Sequence, residues 1–128
     1  MKYTTQYDSD HGICTVSVTG KHKRPGDSVL LQQFARDFGK EHGCNRFLFD
    51  MTQAKIVGTT LDTLQAGTVP ADTDKKQESQ QIALVYARDL DEHKFLENVA
   101  VNRGYNVRIF DHIEKAMDWL ISKENKPI

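Results

Sequence analysis

The chain is poor in the features that usually announce chemistry. Its two cysteines, Cys14 and Cys44, stand thirty positions apart and outside any CxxC spacing. Two thiols make no disulfide framework, so a reduced, cytoplasmic protein is the expectation. The longest apolar run is a few residues, too short to span a bilayer, and the opening "MKYTTQYDSD" is polar and alternating rather than a leader. Basic and acidic residues nearly balance, 17 against 18, for a net charge of −1. That balance argues against a dedicated nucleic-acid binder, which carries a basic excess.

Catalytic signatures are missing in the same way. There is no GxGxxG, no GxxxxGK[ST] and no GxSxG, hence no glycine-rich phosphate cradle and no nucleophile elbow. The five histidines (His11, His22, His42, His93 and His112) form no HExxH or i,i+4 pair, the spacing that sets two imidazoles on one helix face to hold zinc. His42 and Cys44 flank Gly43, and a thiol beside an imidazole can become nucleophilic. No third group is placed to orient them, and a helix C-terminus disfavours a thiolate. The expectation is a protein without enzymatic activity, metal or cofactor.

What is present is a strong pattern of secondary structure in 128 residues, enough for one real core. Residues 2–8 and 12–19 read as strands, the second alternating Ile13, Thr15, Ser17 against Cys14, Val16, Val18, with one face buried. The "SDHG" between them reads as a hairpin turn, making the pair antiparallel. "GKHKRPGD" at 20–27 reads as a loop. Asp27 or Ser28 can cap a helix whose inward face is Leu30, Leu31, Phe34, Ala35 and Phe38, ended by Gly39 or, better, Gly43. "RFLFDM" is a nearly continuous apolar strand of the kind buried on both faces in parallel sheets.

Residues 60–69 carry Leu61, Leu64 and Thr68 in helical register; "DTDKKQESQ" is a solvated loop; "QIALVYA" at 81–87 is another buried strand. A helix over 91–104 points Phe95, Leu96, Val99 and Ala100 inward, "NVRIF" is a short strand, and Ile113, Ala116, Met117, Leu120 and Ile121 form the stripe of a last helix. Asp111 and Glu114 have capping-box spacing before it. No internal repeat and no long linker interrupts 1–128, which reads as a single domain. The order β-β-α-β-α-β-α-β-α implies one α/β fold, a mixed and mostly parallel sheet of about five strands covered by about four helices.

Two stretches invite a functional reading. "KHKR" at 21–24 could meet an acidic partner, a phosphate or an anionic surface, but a solvated loop that keeps the preceding edge soluble is much the preferred reading. In "RFLFDMTQAKIVGTTLDTL", Asp50 closes an apolar run and Thr59 and Thr60 fall where the next helix starts. In parallel α/β sheets ligands and modifications gather at strand C-termini, and helix N-termini favour negative charge. The plain alternative is a threonine N-cap worth about 1 kcal/mol.

The strand order and the segment "FDMTQAKIVGTTLDTL" resemble the STAS domain, the SpoIIAA-like fold of anti-sigma-factor antagonists. The closing "RIFDHIEKAMDWL" resembles the small stand-alone bacterial branch described as STAS-like or CRAL-TRIO-related. The resemblance covers about residues 3–121, leaving a short polar tail. It implies a non-catalytic regulatory module whose partner is another protein, a kinase or an anti-sigma-like factor. In regulatory STAS proteins a strand-end Asp leads to an Asp-Ser-Ser-Gly-like helix start, where a partner kinase phosphorylates one serine and releases the target. By that resemblance Thr60 takes the phosphorylated position, with Thr59 beside it and Asp50, Thr52 and Gly58 as neighbours. Gly58 stands where the family has an acid before the pair, and Leu61 where it has a glycine. The alternative implied by the CRAL-TRIO relation is a small-ligand or lipid carrier with a pocket lined by Leu61, Leu64, Phe95 and Leu96. An exposed edge strand leaves a weak homodimer open.

Overall fold

Asp8 turns the chain back on itself. Its carboxylate accepts the backbone amides of Asp10 and His11 at 3.0 and 3.4 Å and meets His11 Nδ1 at 3.0 Å. The His11 hydrogen bond in particular holds the Asp8 carboxyl below its ordinary range. Gly12 closes the turn with a φ of 65°, a left-handed conformation suited to glycine, and donates to Asp8 O at 2.8 Å. The strands on either side of this turn are β1 (Lys2–Asp8) and β2 (Ile13–Lys23), antiparallel from Asp8↔Ile13 to Lys2↔Thr19.

The computed structural model describes residues 2–23, 26–58, 81–88, 90–91, 93–94, 97–98 and 106–124. After β2 come helix α1 (Gly26–His42), β3 (Arg46–Val57), β4 (Gln81–Val85), β5 (Asn106–Phe110) and helix α2 (Ile113–Glu124). The sheet order is β1-β2-β3-β4-β5, and every pair after the first is parallel. The mixed, mostly parallel five-stranded sheet is the expected one. Two helices are defined among the described residues rather than four. The helix expected at 60–69 lies outside the described residues. Of the one expected at 91–104, helical backbone is described at 91, 93–94 and 97–98, and also at residue 90.

Strand alternation sorts the apolar side chains onto two faces. One face carries Cys14, Val16, Val18, Phe47, Phe49, Met51 and Ile109 and is covered by Leu31 and Ala35 of α1, with Phe34 and Phe38 packed at its margin. The other carries Ile13, Leu48, Ala83 and Val85 and is covered by Ala116 and Leu120 of α2. Each large side chain removed from water here contributes about 1.5–3 kcal/mol. β2 therefore buries a residue on both faces, since Ile13 is as fully enclosed as Cys14. At the rim of the second face Trp119 touches Phe110 at 5.7 Å between ring centroids, and the Arg108 guanidinium lies 5.6 Å from the same ring. Ile113, expected inward, is 42% exposed. The Asp111 carboxyl is held at about 2 by His112 and then Lys115, each contacting it at 3.0 Å.

α1 approaches β3 closely at Gly39. A Cβ there would sit 2.5 Å from Phe47 Cζ and 2.9 Å from Cys44 O. Gly39 is thus a packing glycine inside the helix, while Gly43, with φ 63°, ends it. Asp27 and Ser28, expected as caps, lie in the first turn and reach back to β2 instead. Asp27 Oδ2 accepts the Lys23 amide at 2.7 Å, and Ser28 Oγ meets His22 Nε2 at 2.9 Å.

Gly39→Ala should destabilise the protein by about 1–3 kcal/mol through overpacking, outweighing the gain of up to about 1 kcal/mol in helix propensity. Urea unfolding checks this; an unchanged or raised midpoint at equal slope would show that Phe47 can yield.

Candidate functional site

The apolar rhythm of β3 breaks phase. Phe47, Phe49 and Met51 face α1, and then Ala54 and Ile56 do so, with two residues between Met51 and Ala54 instead of one. The register records the cause: Ser17 pairs with Asp50 but Thr19 pairs with Gln53, so β3 holds one residue more than β2 across this step. This is a β-bulge, which leaves an amide outside the ladder. Asp50 supplies the missing acceptor. Its Oδ1 takes the Thr52 amide at 3.0 Å and the Thr52 hydroxyl at 2.6 Å.

Asp50 is therefore not the end of its strand. β3 runs on to Val57, and β2 accompanies it through Gly20–Lys23, the stretch expected to be a loop. β4 stops level with Asp50, since Asp50 pairs with Val85, the last residue of β4. Past that level β1 ends at Lys2↔Thr19, and among the described residues β2 and β3 continue as a two-stranded ribbon from Gly20↔Ala54 to Lys23↔Val57. Gly58 ends the ribbon with φ 100°, a conformation strained for any other residue. Asp50 and Thr52 are thus bonded to each other, whereas Gly58 lies roughly 25 Å farther along the extended strand.

The ribbon has two unlike sides. Toward α1 it turns Ala54, Ile56 and His22, the last only 3% exposed. Away from α1 it turns Lys21, Lys23, Gln53, Lys55 and Val57, all exposed. Lys21 and Lys55 are register partners, so two like charges stand side by side, an arrangement that disfavours the isolated sheet. Reading 20–27 as a loop hid this strip; the signal was the even spacing of Val18, Gly20 and His22, which continues the buried side of β2.

The other candidates separate cleanly. The His42 ring stacks on Tyr7 and tilts against Phe38, at 4.6 and 4.5 Å, so it packs as an aromatic. Cys44 Sγ lies 3.1 and 3.0 Å from Gly12 O and Arg46 O, two acceptors that share its single S–H. Burial, and next a hydrogen bond with Cys44, push the Cys14 thiol far above its ordinary range. Neither cysteine forms a disulfide. Among the described residues no group of three or more His, Cys, Asp or Glu could hold a metal, and no helix is long and apolar enough to cross a membrane. Thr59, Thr60, Leu61, Leu64, Phe95 and Leu96 lie outside the described residues.

Asp50→Ala should cost about 1–3 kcal/mol, because the Thr52 amide loses its acceptor. Asp50→Asn keeps a carbonyl oxygen in place and should cost less. Denaturation midpoints of the two variants check the order, and an alanine variant as stable as the parent would remove the role given to Asp50.

Comparison with protein-family models and with curated protein sequences finds no match. Among solved structures, an uncharacterised protein of the DUF3478 family with a SpoIIAA-like fold, from Shewanella loihica, is similar at a TM-score of 0.55 and 16% identity, over 93% of this chain and 92% of that one. An anti-sigma factor antagonist from Mycobacterium paratuberculosis is similar at a TM-score of 0.55 and 15% identity, over 93% and 94%. Identities this low speak for fold alone, and the fold of this chain is SpoIIAA-like.

Proposed function

We propose that the chain is a non-catalytic regulatory module, one STAS-like domain over 1–128, that works by binding another protein. The observation that carries this reading is the likeness to an anti-sigma factor antagonist along 93% of the chain. The ribbon supplies a surface for it. Lys21, Lys23 and Lys55 form an exposed basic strip with Val57 beside them, which fits an acidic partner bearing an apolar contact.

In this reading phosphorylation at Thr60, or at its neighbour Thr59, is the switch. Gly58 ends the ribbon immediately before them. A phosphate adds about two negative charges. It would compete with an acidic partner for the lysines and repel that partner directly. A partner kinase sets the charge, and removal of the phosphate restores binding. The regulator acts on its target in solution, in the cytoplasm.

Intact-mass spectrometry of protein from its native cells should show a phosphorylated fraction that maps to Thr59 or Thr60. A pull-down should capture the partner with wild type and lose it with Thr60→Glu. Lys21→Glu/Lys55→Glu should lose it too, with folding checked by circular dichroism. Equal capture by Thr60→Glu would remove the switch; equal capture by the lysine variant would move the docking face elsewhere.

A further inference from the structure

The two edges of the sheet are finished differently. At the β5 edge the Ile109 amide is taken by Glu97 Oε1 at 3.1 Å, so a side chain occupies a ladder position. At the other edge β1 is a regular strand of seven residues with no register shift, and Lys2 to Gln6 are all exposed. Among the described residues no strand flanks it. It carries no proline and no bulge, two of the devices that blunt such edges.

The sequence of β1, Lys-Tyr-Thr-Thr-Gln-Tyr-Asp, is complementary to itself read backwards. Laid antiparallel on a second copy about Thr5, Lys2 meets Asp8, Tyr3 meets Tyr7, Thr4 meets Gln6 and Thr5 meets Thr5. Opposite charges fall at both ends, and each side of the strand matches in kind. Tyr3 and Tyr7 lie on the side of α1, where Tyr3 touches Phe34 at 4.5 Å and Tyr7 stacks on His42 at 4.6 Å. Pairing would join the two aromatic rows. Leu30, one helical turn before Phe34 and 63% exposed, would flank the junction. A shift by one residue would instead set tyrosine against threonine and glutamine and would part the charges.

We propose that β1 pairs antiparallel with β1 of a second copy of this chain, on a two-fold axis through Thr5, joining two five-stranded sheets into one. The interface lies on the edge opposite β5, and it stands independently of the regulatory reading. Closed two-fold pairing also uses up both copies' bare edges, so association stops at the dimer.

Sedimentation equilibrium over a concentration series should show a mass rising to twice that of the chain. In a Cys44→Ser background, whose hydroxyl can donate to one of the two carbonyls that Cys44 faces, a short bis-maleimide should join Thr5→Cys to itself. It should not join Lys2→Cys, because the two copies of residue 2 stand roughly 20 Å apart in this register. Thr4→Lys/Gln6→Glu places two opposite-charge pairs across the axis and should tighten the dimer about fivefold. Thr4→Lys/Gln6→Lys should weaken it by a similar factor. A chain that stays monomeric throughout, equal linking at Thr5 and Lys2, or equal affinity of the two charge variants would each overturn the proposal.

Discussion

The hydrogen bond from the Thr52 amide to the Asp50 carboxylate lets β3 be twelve residues long. An extra residue in a parallel strand leaves an amide with no ladder partner, and an unpaired amide away from water is costly. Asp50 satisfies it locally, so the strand absorbs the extra residue and carries on. The phase shift then keeps Ala54 and Ile56 on the core side and turns Gln53, Lys55 and Val57 outward. Without the bulge the same alternation would send Lys55 toward α1 and Ile56 into water. The ribbon and its basic strip both follow from this one insertion.

Much of the fold was legible in the sequence because strong local signals agreed with the tertiary arrangement. β1, β5 and α2 fall where alternation and the 3.6-residue stripe put them, and the "SDHG" turn is closed by Asp8 as a hairpin should be. Legibility failed where tertiary pairing overrode a local cue. Gly20 and Pro25 made 20–27 look like a loop, yet β2 continues through His22 because β3 lies alongside it. Asp50 looked like a strand terminator because acids seldom sit in buried strands. Its role as acceptor for Thr52 was visible only as a one-residue slip between Met51 and Ala54. Of the candidate site, Asp50 and Thr52 proved to be joined, though for a structural reason the sequence had not suggested.

The two faces and two edges of the sheet divide the work among them. The α1 face is given to packing, so tightly that Gly39 admits no side chain beside Phe47. Among the described residues the α2 face is covered at Ile13, Leu48, Ala83 and Val85 and is open along the ribbon, where Lys21 and Lys55 stand together. Like charges held in register are tolerated on a solvated strip and rewarded when an opposite charge arrives.

The most direct test of the ribbon as a docking face is an amide-resolved NMR titration with an acidic, glutamate-rich peptide at low and then high salt. If the basic strip is the recognition surface, shifts will concentrate on Lys21, Lys23, Lys55 and Val57 and fade as salt rises. Shifts spread evenly over the chain, or centred on α1 and unaffected by salt, would contradict it.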